Sequence, residues 1–155
     1  MNSACHSKKK GGRGAGQFHL SQKVDYGLFL LSALASDECG APQSIRTIAT
    51  HGKLSFSFLQ KVAHALKGAG FVRAVRGKVG GYRLSCSPSA TTLKDIIEAL
   101  DGKIAVARCL GGGMRRTRCP RQDFCMIRSR LRNINAEIEG YYTSKKLSDF
   151  ISNHE

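Results

Sequence analysis

A mainly α-helical fold with one small β-hairpin, a winged helix-turn-helix domain plus a long dimerisation helix, is what this 155-residue sequence predicts. Three observations carry that expectation. Two short amphipathic segments meet at Gly52, a glycine-rich reversal with β-prone flanks follows directly, and a seam of alternating four- and three-residue apolar spacing closes the chain. Their order carries the weight, because a bare glycine-rich turn says little by itself.

Residues 1–18 hold Lys8, Lys9, Lys10, Arg13 and four glycines with little that is apolar. Such a stretch cannot offset the entropy of being ordered and is expected to be a flexible basic tail. From Ser21, Val24, Leu28, Leu31 and Leu34 lay one stripe along a helix expected to end near Cys39-Gly40. Ser44 opens a second helix in which Ile45, Ile48 and Ala49 share a face, and Gly52 supplies backbone freedom for a tight turn. Ser55 caps a third helix, with Leu59, Val62, Ala63 and Leu66 inward and Gly68 and Gly70 as its stop.

Phe71–Val75 reads as a strand, Arg76-Gly77-Lys78-Val79-Gly80-Gly81 as a basic turn, and Tyr82-Arg83-Leu84 as the returning strand. Thr92 caps a fourth helix with Leu93, Ile96, Ile97 and Leu100 inward, ended by Gly102. Beyond a loop with three cysteines, Ile127, Leu131, Ile134, Ile138 and Tyr141 form a seam suited to pairing with another helix. A last short helix around Leu147, Phe150 and Ile151 is expected to fold back on the body, with the four final residues fraying. The expected organisation is a tail (1–18), a DNA-binding winged domain (19–101), a cysteine loop (102–125), and a dimerisation helix with its C-terminal helix (126–151).

Charge narrows the function. Lys and Arg number 25 against 11 Asp and Glu, a formal charge of +14 that calls for a polyanionic partner. From Cys39 through Lys94 there are nine basic residues and no acidic one, so the winged domain presents a positive face. Duplex DNA fits that face, with phosphates neutralised by the cations and a reading helix in the major groove. The third helix would present Ser55, Ser57, Gln60, Lys61 and His64 opposite its buried stripe, Gln60 suiting adenine and Lys61 guanine. Arg76 and Lys78 at the wing tip are the expected minor-groove and phosphate contacts. No nucleotide-binding glycine fingerprint or catalytic dyad stands on a suitable scaffold, so an enzyme is not expected. The longest apolar stretch, Gly27–Ala35, falls far short of the roughly 20 residues that cross a bilayer, and no apolar run follows the basic start as a signal peptide requires. A cytoplasmic protein is expected.

Cys109, Cys119 and Cys125 are separated by nine and five residues among Arg108, Arg115, Arg116, Arg118 and Arg121. Nearby positive charge favours the thiolate, the form that ligates soft metals and iron-sulfur clusters. By spacing alone an iron-sulfur cluster, a structural zinc site and a redox disulfide all remain open. Cys5, Cys39 and Cys86, in a tail, a helix-end turn and a strand end, read as structural.

Leu20-Ser21-x-Lys23-x-x-Tyr26, Ser55-x-Ser57-Phe58-Leu59, Arg76-Gly77-x-x-Gly80-Gly81-Tyr82, Thr92-Leu93-x-Asp95-Ile96-Ile97 and the three-cysteine loop, in that order, resemble the IscR/NsrR group of the Rrf-two family of bacterial transcription regulators over about residues 19–150. The resemblance implies a homodimeric winged-helix repressor or activator, bound to a palindromic operator. Its iron-sulfur cluster, [2Fe-2S] or [4Fe-4S], would sense iron, nitric oxide or redox state, with Cys109, Cys119 and Cys125 as cluster ligands. The first inter-cysteine gap here is nine residues where the best-known members have five. Arg128 stands where the IscR branch has its histidine ligand, so the resemblance points instead to Asp25, matching the NsrR branch's aspartate supplied by the other subunit. Gln60 and Lys61 replace the acid and amide of IscR, which implies a different operator sequence.

Overall fold

The computed structural model describes residues 20–37, 40–77, 80–107, 109–111, 119 and 121–151. The predicted tail with Cys5, the turn residue Cys39 and the last four residues lie outside them. The first helix, α1 (Gln22–Ala35), starts where expected: the Ser21 hydroxyl accepts the Val24 N–H at 3.3 Å, and Asp25 occupies the first turn, where the helix dipole favours an acid. It ends four residues earlier than predicted. Ser36 turns both its N–H and its hydroxyl onto the Ser32 carbonyl, each at 2.9 Å, and beyond it Gly40, at φ +58°, donates its N–H to Asp37 O at 2.9 Å. Val24, Leu31 and Leu34 are buried as the stripe required, but so are Tyr26, Gly27 and Leu30, while Leu28 is only half-buried. The reason is position. α1 packs at once against the third and fourth helices and the C-terminal turn, so it buries a wide arc instead of one stripe.

Helices α2 (Ile45–His51) and α3 (Phe56–Gly68) form the helix-turn-helix, burying Ile45, Ile48 and Ala49 of one and Leu59, Val62, Ala63 and Leu66 of the other. The turn between them corrects the reading of Gly52. Its φ of −78° is one any residue adopts, whereas Lys53 takes the left-handed conformation at φ +51°. Gly52 is needed for space: a Cβ there would lie 2.5 Å from the Phe29 ring. Gly70, at φ +84°, reverses the chain after α3, with Phe71 N–H returning to Leu66 O at 3.0 Å.

The wing consists of β1 (Val72–Val75) and β2 (Gly81–Leu84), antiparallel in the register Val72↔Leu84, Arg73↔Arg83, Ala74↔Tyr82 and Val75↔Gly81. Gln43 adds a one-residue third strand, exchanging both backbone bonds with Tyr82 at 2.9 Å, and its Nε2 donates to Ala33 O of α1 at 3.0 Å. The hairpin is thereby fastened to the helical body. Cys86, just beyond β2, packs against the core as a small hydrophobe.

Helix α4 (Leu93–Asp101) carries a reciprocal capping box between Thr92 and Asp95 and buries Leu93, Ile96, Ile97 and Leu100. A 3-10 turn (Gln122–Phe124) precedes α5 (Arg128–Ser144), which starts one residue after Ile127. The chain then folds back as predicted. A second 3-10 turn (Leu147–Phe150) seals Leu147 in the core, and Leu93 N–H to Lys145 O (2.8 Å) and Leu147 N–H to Thr91 O (2.9 Å) lace it to the start of α4. Leu30, Leu31, Leu59, Leu66, Ile96 and Leu147 are the largest fully enclosed side chains. On α5 only Asn135 is buried, and Ile127, Ile134 and Tyr141 of the predicted seam face solvent in the single chain. Among the described residues no helix is long and apolar enough to cross a membrane.

Candidate nucleic-acid interface and cysteine segment

The buried stripe of α3 fixes what its other side shows. With Leu59, Val62, Ala63 and Leu66 in the core, Ser55, Ser57, Gln60, Lys61 and His64 are all exposed, on the arc the sequence assigned to them. Ser55 departs from the expected cap. Its hydroxyl pairs with the Ser57 hydroxyl at 3.2 Å instead of a helix N–H, and its own N–H donates to the Tyr26 hydroxyl at 3.2 Å. Tyr26 also stands edge-on to Phe58 at 4.9 Å, so the start of the reading helix is pinned to α1. The free N–H groups of the first turn and the paired hydroxyls form a donor-rich tip suited to phosphate.

Arg76 is exposed at the wing tip, and Lys78 lies outside the described residues. The structure adds cations that sequence reasoning passed over. Arg73 and Arg83 face each other across the hairpin, a like-charge pair that costs stability unless an anion sits over it. Neither has a salt-bridge partner among the described residues. The strand alternation was the signal: each arginine is one residue from Val72 or Leu84 and so falls on the opposite face of the hairpin. Arg46 of α2 lies over the Phe56 ring at 4.6 Å, which holds its guanidinium beside the base of α3.

The cysteine segment is a different kind of site. Cys109 is exposed, Cys119 and Cys125 are half-buried, and all three thiols are free. Arg108, Arg115, Arg116 and Arg118 lie outside the described residues, as does most of the link between the first two thiols. Three thiols fit the donor chemistry of an iron-sulfur cluster or zinc. Within a single chain they are not gathered: among the described residues no group of three or more His, Cys, Asp or Glu converges on a metal-sized site. Asp25 is exposed in the first turn of α1 and does not join them.

What does hold this segment is a network no sequence motif announced. The Asn135 Oδ1 accepts the Val106 N–H at 2.9 Å, and its Nδ2 donates to Ile104 O at 3.4 Å and to Glu139 Oε1 at 2.6 Å. Glu139 in turn bridges to Lys94 of α4 at 2.6 Å. Its hydrogen bond holds the Lys94 ammonium above the ordinary lysine range. The contribution of that pair is complete at neutral pH and fades only as pH climbs through the raised value. The lead-in to Cys109 is thus clamped to α5 and α4. A polar residue four before a glutamate, on a helix face otherwise apolar, was the available signal.

The Rrf2 (Rrf-two) family profile, described as an iron-dependent transcriptional regulator, matches residues 20–153. The HTH-type transcriptional regulator CymR of Bacillus subtilis is 37% identical over 91 residues, covering 59% of this chain and 66% of that relative. Its solved structure, described as that of the global cysteine regulator, has a TM-score of 0.68 at 29% identity and covers 90% of this chain and 100% of its own. The HTH-type transcriptional regulator IscR of Escherichia coli is 26% identical over 136 residues, 88% of this chain and 82% of that relative. The structure of T. potens IscR has a TM-score of 0.69 at 28% identity, covering 92% of each chain.

Proposed function

Because this chain belongs to the Rrf2 family of transcription regulators, which bind DNA and are not enzymes, we propose that it works as a cytoplasmic homodimer whose DNA affinity is set by the cysteine segment. Residues 19–101 bind DNA, residues 102–125 sense, and residues 126–151 pair the two copies. The observation that carries this reading is the solvent face of α3 and the wing: Ser55, Ser57, Gln60, Lys61, His64 and Arg76 exposed beside the unrelieved Arg73–Arg83 pair. Each copy places α3 in a major groove, with Gln60 and Lys61 against base edges, Ser55 and Ser57 on phosphate, and the wing, with Arg76 and Lys78, on the flanking backbone or minor groove. Two-fold symmetry sets the reading helices about 34 Å apart on a palindromic operator. The exposed Ile134 and Tyr141 of α5, with Ile127 at its cap, support pairing through that helix.

In the sensing segment, Cys109, Cys119 and Cys125, with Asp25 of the other copy, are the residues that would hold an iron-sulfur cluster. Such a cluster supplies a centre whose stability depends on iron supply, nitric oxide and oxidants. A second reading is a cluster-free regulator that uses the same thiols as a zinc site or redox switch. Its redox-switch form is supported by the three free thiols not gathered in one chain and by the likeness to a regulator described as governing cysteine. Anaerobic purification decides between them. Visible absorption with stoichiometric iron and sulfide, lost in Cys119→Ala, supports the first; colourless protein with bound zinc, or with DNA affinity that follows reversible thiol oxidation, supports the second. DNA affinity that does not change with salt would refute both.

A further inference from the structure

The wing carries a charge arrangement that its own fold does not relieve. Strand alternation packs Val72, Tyr82 and Leu84 against the core and leaves Arg73 and Arg83 together on the other face, directly opposite one another in the β1–β2 register. Side chains so paired start about 5 Å apart, and like charges at that spacing repel. The usual relief is missing. Neither guanidinium has an ion pair or a hydrogen-bond acceptor among the described residues, and no acid occurs from Cys39 through Lys94.

Arg83 is the more firmly held of the two. Its strand is bonded to Gln43, which is in turn tied to α1, and its Nη2 lies 3.2 Å from where a Cβ on Gly40 would stand. Arg73, on the outer strand of the hairpin, is exposed. Distance from the wing tip sets what the pair can meet. Arg73 precedes Arg76 by three residues, about 10 Å of extended chain at about 3.3 Å per residue. A minor groove is about 6 Å wide and about 7.5 Å deep, so a tip led by Arg76 enters it while the strands behind stop at the rim, where the phosphates are. One phosphate at that rim can accept from both guanidiniums, because each presents a fork of N–H donors on a long stem.

We propose that Arg73 and Arg83 form one backbone-phosphate site on the wing, in which a single DNA phosphate bridges the two guanidiniums and supplies the counter-charge that the chain itself withholds. The proposal rests on the DNA reading above and adds to it a contact outside the reading helix and the wing tip. It also ties DNA occupancy to the hairpin's stability. The free wing carries the repulsion and the bound wing does not, so DNA tightens β1 against β2.

The test uses the full chain and a duplex that the wild-type protein selects from a random-sequence pool, titrated at several salt concentrations, together with melts of the free protein. In Arg73→Gln with Arg83→Gln, affinity is expected to fall about tenfold or more at low salt, and the slope of log K against log salt to fall by about 0.9, the value for one phosphate. The same double variant, free of DNA, is expected to melt about 1–4 °C above wild type at low salt, a gain that shrinks as salt screens the repulsion. A lower melting temperature makes the arginines structural and overturns the proposal, as does a slope change near about 1.8, which counts two phosphates. Wild-type affinity and slope in the double variant, while Arg76→Ala binds more weakly, overturn the rim contact and leave the DNA reading standing. A wild-type chain whose affinity for the duplex ignores salt overturns both. Saturable binding of inorganic phosphate to the free chain, lost in a double variant whose DNA affinity is unaltered, assigns the pair to a free anion and likewise overturns it.

Discussion

Replacing Asn135 by leucine isolates the clamp on the cysteine segment, because the two side chains are close in size and only the hydrogen bonds disappear. The structure gives the loss. One bond to the Glu139 carboxylate at 2.6 Å goes, and the Val106 N–H, held at 2.9 Å, is left without its acceptor. A hydrogen bond to a charged group is worth about 1.5–3 kcal/mol and a buried unpaired donor costs about 1–3 kcal/mol. Both partners keep some contact with water, which moves each figure to the low end of its range, and leucine's better helix propensity offsets about 0.5 kcal/mol. The net is about 2 kcal/mol, equivalent to a fall in Tm of about 4–8 °C for a chain of this size. Amide exchange at Val106 should quicken about 25-fold, while amides in the centre of α3 change no more than global stability dictates. Thermal melts with exchange mass spectrometry measure both. A Tm within 1 °C of wild type, or Val106 exchange that does not respond, would refute the claim that Asn135 fixes the approach to Cys109.

Three further outcomes follow from other parts of the molecule. A Cβ on Gly81 would lie 2.4 Å from Gln43 O, so Gly81→Ala must break the Gln43–Tyr82 bridge; a loss of about 1–3 kcal/mol in denaturant titration and weaker operator binding are expected. Arg76→Ala should lower DNA affinity on all sequences alike and reduce the salt slope of log K by about 0.9, read from titrations at several salt concentrations; an unchanged slope would remove Arg76 from the phosphate contacts. Thr92→Ala dissolves the capping box of α4 and should cost about 1 kcal/mol without altering DNA contacts, which a melt and a binding isotherm together will show.

Much of this was legible before any coordinates. The buried positions of α2, α3 and α4, the hairpin after α3 and the exposed arc of Ser57, Gln60, Lys61 and His64 follow from periodicity, since a helix that buries one stripe must expose the opposite one. The end of α1, the width of its buried face and the true role of Gly52 were not legible. They depend on which elements crowd around α1 and on the Phe29 ring that occupies the space a side chain at Gly52 would need. The three cysteines announced themselves by spacing and charge, whereas the Asn135–Glu139–Lys94 clamp joins residues up to 45 positions apart, and the four-residue spacing of Asn135 and Glu139 points to neither Lys94 nor Val106.

The sequence by itself determined the element types, the reading arc and the presence of a thiol-bearing segment, because each is written in local spacing and composition. Only the tertiary structure decided that Arg73 and Arg83 oppose one another without a counter-charge among the described residues, and that the approach to Cys109 is tied to α5. The physical reason is that burial and charge pairing are properties of neighbours in space. Chain order fixes those neighbours only after the helices have packed.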